Sequence, residues 1–410
     1  MKSRFTVLTV IIVGLIALLV GFNAGYLIGQ SPIAPFRAFP TAPLSQEASD
    51  AFEPFWEVYD LVQTRYFEQP LDNDVLAEGA INGLLATLDD PHTRYLSPQD
   101  EVAEREGFDG EIQGIGVEVT IEDDKITVVS PIEGSPAYDA GLRPGDILRE
   151  ADGVDLTDMS IMEAAQLIRG PVGSTVSLLI ERDGETFEVD IERDVIKIDS
   201  VRGEILDDNI AYLRLSHFGT RTSQELDGVL SDLLSQEPDG LILDLRRNPG
   251  GALDAVVDIA DEFLPKGTVL IQEFANGVER EYDASDKGVA EEIPLVVLID
   301  EGSASASEVL AGAIQDHERG ILIGQTTFGK GTIQTWQELS NGGGVRITFA
   351  RWLTPDENWV HEEGLEPDIS IKLPEELEDV DDFNDTQLQA AIDFLLGKQV
   401  VDEEIPLSDT

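Results

Sequence analysis

The sequence predicts a multidomain α+β chain: an apolar N-terminal anchor, a short helical region, a small β-rich domain and an α/β domain. Three observations predict it. Helical apolar spacing is concentrated in residues 51–88, short β-type runs crowd residues 108–195, and strand-like and helix-like runs alternate from 199 to 372. A chain of 410 residues that is 42% hydrophobic has room for two or three domains with real cores.

Lys2 and Arg4 precede an uncharged run over 5–22. That run exceeds the ~7–15 residues of a signal-peptide core and approaches the ~20 that span a bilayer. It reads as an uncleaved signal anchor, with a cleaved signal peptide as the alternative; either puts the bulk of the protein outside the cytoplasm. Pro32, Pro35, Pro40 and Pro43 make 31–45 an extended linker. Over 51–67, Phe55, Val58, Tyr59, Val62 and Tyr66 share a helical face, and a second helix after Asp74 aligns Leu76, Ala80, Leu84 and Leu88. Asp89-Asp90-Pro91 stops it, because proline disfavours helical geometry before it. Strands are expected at 126–129, 147–150, 176–180 and 186–191, the last two joined by Asp183-Gly184, with one helix over 161–168.

In the third region, strands are expected at 210–215, 241–245, 295–299, 321–323 and 345–349, and helices at 223–235, 253–263 and 305–316. A solvated acidic run, 375–385, precedes a last amphipathic helix carrying Leu388, Ile392 and Leu395. The amphipathic helices near both ends suggest self-association, such as a homodimer.

Charge and composition exclude whole classes. Lys+Arg is 27 against Asp+Glu 81, a net charge of −54, which repels a nucleic-acid backbone. Four His and no Cys exclude zinc-finger, iron–sulfur, disulfide-scaffold and cysteine-nucleophile readings. Only 8 of the basic residues are Lys, which fits either a high-salt habitat or an ordinary acidic secreted protein.

Three segments offer chemistry. Asp244-Leu-Arg-Arg-Asn-Pro-Gly-Gly251 follows an apolar strand, and a glycine pair opening a helix leaves amides free for an oxyanion, or simply makes a tight turn. Asp300-Glu-Gly-Ser-Ala-Ser-Ala-Ser-Glu308 holds Ser303, Ser305 and Ser307, candidates for nucleophile or helix cap. Phe328-Gly-Lys-Gly331 sets Lys330 among apolar residues, where desolvation would free an amine to act as a base; the competing reading is a solvated surface charge. A Ser–His–Asp arrangement through His317 or His217 stays open, although Asp316-His-Glu-Arg319 reads as exposed. Carboxylates are abundant, but no spacing supports a metal site.

Together these segments resemble the carboxyl-terminal processing peptidases, the tail-specific S41-type serine proteases with a PDZ domain, over residues 50–372. Gly114-Ile-Gly-Val117, Ser135-Pro-Ala, Ala140-Gly-Leu-Arg-Pro-Gly-Asp-Ile-Leu148, Ala151-Asp-Gly153 and Ile168-Arg-Gly-Pro-Val-Gly173 look like the PDZ domain. Gly302–Glu308, Thr327–Gln334, Trp352-Leu-Thr-Pro355 and Gly364-Leu-Glu-Pro-Asp368 look like the protease core. Gln325-Thr326 and the stretch 356–360 depart mildly from the family's pattern.

The resemblance implies a serine endopeptidase with a crotonase-like α/β core. It implies Ser305 as nucleophile, Lys330 as general base, Gln334 as the residue orienting it, and an oxyanion hole from Ala306 with Gly250 or Gly251. It implies a carboxylate-binding loop at Gly114, Ile115, Gly116 and Val117, a coupling role for Arg169, substrates chosen by apolar C-terminal tails, and no cofactor or metal. The implied layout is anchor 1–30, linker 31–45, helical region 46–105, PDZ domain 106–198, catalytic domain 199–373 and acidic C-terminal segment 374–410. The alternative from another class is a PDZ-bearing scaffold protein with an inert protease-like domain.

Overall fold

The computed structural model describes residues 45–122, 125–157, 159–182, 184–285, 287–372 and 385–400. The expected anchor, nearly all of the linker and the acidic run up to residue 384 lie outside them. No helix among the described residues is long and apolar enough to cross a membrane.

The chain divides into two compact units, one ending at Leu76 and the other beginning at Ala77. In the first, α1 (Gln46–Arg65) starts five residues before the apolar stripe, because the Ser45 hydroxyl caps it by accepting the Ala48 N–H. Its aromatic residues Phe52, Phe55, Trp56 and Tyr59 meet edge to face along the helix. None of its residues is buried, so the expected packed stripe lies at the surface. A second helix, α2 (Asn73–Ala86), ends before Asp89, which has a positive φ of 53°.

After β1 (Arg94–Leu96) and α3 (Pro98–Asp109), the chain enters the β-rich domain through β2 (Glu111–Gly114). An antiparallel sheet follows: β3 (Val117–Glu122), β4 (Lys125–Pro131), β5 (Ile147–Ala151), β7 (Thr175–Arg182) and β8 (Glu185–Glu192), in that order, with the short β6 (Val154–Asp155) beside β5. The helix expected over 161–168 is found there: after the four-residue α4 (Pro136–Asp139), α5 (Ile161–Ile168) opens on a Ser160–Glu163 capping box. Its Ala164 and Ile168 close a core with Leu148, Val176, Leu178 and Ile180. β9 (Asp194–Lys197) returns to pair with β2.

The third region centres on a mostly parallel sheet. Its order is β10 (Val201–Ile205), β11 (Ile210–Leu215), β12 (Gly240–Asp244), β15 (Leu295–Ile299), β16 (Ile321–Gly324) and β19 (Ile369–Ser370), with only β10 antiparallel. Alternate side chains of β12 and β15 go to opposite faces. Leu241, Leu243, Val297 and Ile299 join the core with α6 (Thr222–Leu234), α7 (Leu253–Ala260) and α8 (Ala306–Asp316), while Ile242, Val296 and Leu298 meet α9 (Thr386–Leu395).

Simple alternation of strand and helix is where the sequence reading falls short. An antiparallel sheet is inserted, β1–β18–β13–β14, built from β13 (Gly267–Phe274), β14 (Glu279–Ala284) and β18 (Gly344–Leu353), with β17 (Thr332–Glu338) also paired to β18. The stretch expected at 345–349 is the first half of β18 and belongs here. β13 was not expected either, although it is apolar and buried; β14 and β17 carry many polar side chains and few buried ones.

Candidate active site

Three turns at the ends of β12, β15 and β16 converge. The first is fixed by charge. Asp244, fully buried, receives Arg246 through two bonds (Nε 2.9 Å, Nη2 2.7 Å) and the Tyr212 hydroxyl at 2.6 Å. Burial pushes the Asp244 carboxyl up, but these bonds and the Arg246 charge outweigh it and hold it low. Arg246 also grips Asp385, the N-cap of α9, at 2.8 Å through each Nη.

Beyond it, Asn248 is fully buried and ties the turn together. Its Nδ2 donates to Leu215 O, its Oδ1 accepts the Gly250 N–H, and its carbonyl accepts from Ser307 Oγ and the Ala304 N–H. Gly250 needs to be glycine: φ is 95°, and a Cβ would stand 2.6 Å from Ala304 O and 2.8 Å from Ala306 N.

The second turn separates the three serines. Ser303 Oγ donates to Leu245 O and accepts the Asp300 N–H, and Ser307 Oγ donates to Asn248 O; both side chains are buried and their hydroxyl protons are committed. Ser305 alone lines a cavity of about 400 Å³, together with Ala306, Gly251, Lys330 and Gln334. Its backbone is forced to φ 56°, ψ −112°, unusual for a residue with a side chain, at the sharp entry to α8. The structure thus contains an elbow that no G-x-S-x-G pattern announced. The N–H groups of Ala306 and Gly251 have no acceptor among the described residues, whereas that of Gly250 is committed to Asn248. Of the two glycines, Gly251 is the available donor.

Glu308 joins the second turn to the third. This buried carboxylate accepts from the N–H of Ser305 (2.7 Å), Gly329 (2.6 Å) and Lys330 (2.9 Å) and from Thr327 Oγ1 (2.6 Å). In the sequence Glu308 only closes the serine motif; the signal that marks it is the Ser-x-x-Glu spacing of a capping box.

Lys330 emerges from that clamp with its carbonyl accepting the Trp352 Nε1 proton at 2.9 Å. Burial pulls its amine down to about 8, helped by the Arg346 charge and opposed by Glu308 and Glu104. Among the described residues no hydrogen bond joins its amine to Ser305 or to Gln334. Gln334 Nε2 instead donates to Thr332 Oγ1 at 2.9 Å and Thr348 Oγ1 at 3.1 Å, and a register shift precedes it in β17. The His alternatives do not assemble. His317 Nε2 meets Thr268 O at 2.8 Å at the far end of α8, and His217 stands next to Gly110, away from the cavity lining.

A second, smaller cavity of about 220 Å³ runs between β3 and α5. Val117, Val119, Ile161, Ala165 and Ile168 give it apolar walls. The N–H groups of Ile115 and Gly116 at its end have no acceptor among the described residues, and Ser135 Oγ fixes the loop by donating to Gly116 O at 2.9 Å. Arg169 is the C-cap residue of α5 and borders this groove; it does not line the larger cavity.

Residues 209–371 match the model of peptidase family S41, 127–182 that of a PDZ domain, and 39–101 that of the activating protease CtpB N-terminal domain. The carboxy-terminal processing protease CtpA of Bacillus subtilis is 36% identical, with 79% of this chain and 70% of that protein aligned. The carboxyl-terminal-processing protease of Synechocystis sp. is 38% identical over 82% of this chain and 81% of its own. A solved Bacteroides fragilis chain assigned to the S41 proteases aligns over 83% of this chain and 97% of its own, at 18% identity and a TM-score of 0.56, a likeness of fold.

Proposed function

This chain belongs to peptidase family S41, among the carboxy-terminal processing serine proteases, and from that premise we propose a Ser–Lys mechanism steered by C-terminal tails. The observation that carries the mechanism is the sorting of the serines: of the three, only Ser305 shares a cavity with a desolvated lysine. Neutral Lys330 takes the Ser305 Oγ proton as Oγ attacks the scissile carbonyl. The oxyanion sits between the Ala306 and Gly251 N–H groups, where donors fixed in advance stabilise developing charge. Lys330 passes its proton to the leaving amine, then takes one from the water that hydrolyses the ester and returns it to Ser305 Oγ as the acyl bond breaks. With an amine near 8, about a tenth of molecules at pH 7 hold it neutral.

The β3–α5 groove is the tail reader in this proposal. A substrate tail pairs with the free edge of β3 and sets its carboxylate against the Ile115 and Gly116 amides. Arg169 at its rim is the candidate for coupling occupancy to the cleft. The N-terminal segment would tether the protease to a membrane with its catalytic part outside the cytoplasm, or release it if cleaved, and the exposed face of α1 suits a homodimer. The test is the cleavage rate of an unstructured protein with a free apolar C-terminus against the same protein amidated. Faster cleavage of the free form is expected, and equal rates would remove the tail-reading role.

A further inference from the structure

Resting on the reading of Ser305 as nucleophile and Lys330 as base, we infer that Arg346 and Arg105 make the cleft select substrates with an Asp or Glu side chain within about three residues of the scissile bond, on its leaving side. The chain carries 81 acidic against 27 basic residues, yet the charged groups lining the cavity of about 400 Å³ are Arg105, Lys330 and Arg346, with no carboxylate among the described residues. The carboxylates behind that wall are already committed. Glu308 holds its four donors, Glu101 Oε1 accepts from Arg105 Nη2 at 2.7 Å, and Glu104 Oε1 accepts from Arg346 Nη1 at 2.6 Å while its Oε2 takes Arg94 Nη2.

These pairs aim the guanidinium groups without exhausting them. Glu101 and Glu104 are neighbours one turn apart on α3, so they bring both groups to one end of the cavity. An arginine has five N–H donors, and among the described residues Arg105 and Arg346 have each committed one nitrogen. The Arg346 side chain is only 21% exposed, so water screens its charge poorly, whereas Arg105, 60% exposed, stands at the mouth. Three arginines against two glutamates leave this cluster one charge positive before Lys330 is counted, in a molecule at −54. An entering carboxylate completes the balance; an entering cation meets only like charge on the cavity wall.

The direction follows from Lys330. In the proposed mechanism its amine hands a proton to the leaving nitrogen, so the leaving half of the substrate passes on its side of Ser305. From Lys330, β17 runs outward with Gln334 opposite Thr348 and then Trp336 opposite Arg346. Residues two apart on a strand share a face and lie about 7 Å apart. An extended substrate covers the same distance in two residues, so Arg346 meets a side chain a short way beyond the cut bond. The wall formed by Leu253 and Val256 on α7 and Val309 on α8 offers no charge to the acyl half.

The test gives the full chain a set of quenched-fluorescence peptides that share one scissile sequence and a free apolar C-terminus. A single Glu is moved through the positions on either side of the bond, and mass spectrometry fixes the bond cut. Net charge is the same in every peptide, so the long-range field of the protein drops out of the comparison. At the best leaving-side position kcat/KM should exceed that at any acyl-side position by about tenfold. Arg346→Gln and Arg105→Gln should each bring that ratio below about threefold. The ratio is taken within each variant, so a change in the Lys330 amine, which the Arg346 charge helps to lower, cancels. If Arg346→Gln fails to fold, Arg105→Gln at its exposed position carries the test. A flat scan, a maximum on the acyl side, or an undiminished ratio in the folded variants would overturn the inference. Cleavage retained in Ser305→Ala or Lys330→Met would instead overturn the Ser–Lys reading beneath it, whatever the ratio.

Discussion

The cleft and the β3–α5 groove are built on opposite plans. In the cleft, nearly every polar group is held at two or more points: Glu308 by four donors, Asn248 by its side chain and its carbonyl, Asp244 by Arg246 and Tyr212. The groove has apolar walls and, among the described residues, a free strand edge and two unpaired amides. On the proposed reading, in which the cleft cuts and the groove reads tails, the difference follows from what each surface has to do. Bond breaking tolerates little misplacement, so its groups are fixed before substrate arrives. Reading a tail needs only a backbone edge and a pocket of the right size, and most of the order is supplied by the tail.

That contrast implies a ranking of effects. The largest belongs to the cleft: Ser305→Ala should lower cleavage at least ~10⁴-fold. Tail-peptide affinity measured by calorimetry should not change. Ser303→Ala should act differently, melting lower by about 1–2 kcal/mol as the Asp300 N–H loses its acceptor. A dead Ser303→Ala beside an active Ser305→Ala would reverse the assignment.

Next comes the proposed base. Lys330→Met should be inactive yet more stable near pH 7. The folded amine sits near 8, below the 10.5 of its ordinary state, so the unfolded chain binds the extra proton between those values and wild-type stability rises with pH across that window. The gap corresponds to at most about 3 kcal/mol. Denaturation curves at pH 7 and pH 10 should separate the two proteins at the lower pH and converge at the higher. A Met variant no more stable at pH 7 would show that the amine is not desolvated.

Third is Glu308→Gln, which sets an NH₂ against backbone donors. A loss of about 2–4 kcal/mol is expected in urea unfolding, with cleavage reduced and tail binding intact. The smallest effects should come from the groove. Ala165→Glu should weaken tail binding about tenfold while sparing hydrolysis of short amidated peptides. Arg169→Ala should leave binding alone and slow tail-dependent cleavage only a few-fold, if at all. If either groove variant also abolished hydrolysis of the short peptides, the two regions would not be separable.

What was legible from sequence follows the same division. Ser305, Lys330 and the Gly250–Gly251 pair could be read because each sits in a local turn whose chemistry is written in adjacent residues. The α5 and β15 limits were readable for the same reason, since capping and continuous burial are local signals. Asn248 and Glu308 were not, because their meaning lies in partners brought near only by folding; Asn248 and Ser307 are 59 positions apart. In the antiparallel sheet β14 and β17 hid behind polar side chains, whereas β13, with Val269, Leu270 and Ile271 buried, carried a local apolar signal that the strand expectations passed over. The choice between Gly250 and Gly251 also needed coordinates, since it turns on which N–H Asn248 has taken.

The free edge of β3 has a consequence for colloidal behaviour. Among the described residues β3 pairs only with β4, so one whole side of its backbone stands unpaired. Such an edge cannot distinguish the substrate tail proposed for it from a strand of a neighbouring molecule, and in a concentrated solution it is a template for stacking. Discrimination against self then falls to charge. At −54 per chain, copies repel one another long before their edges meet, while a near-neutral tail approaches freely. Salt shortens that repulsion to about 8 Å at physiological ionic strength, so the same acidity that keeps this protease dispersed also makes its dispersal a function of the ions around it.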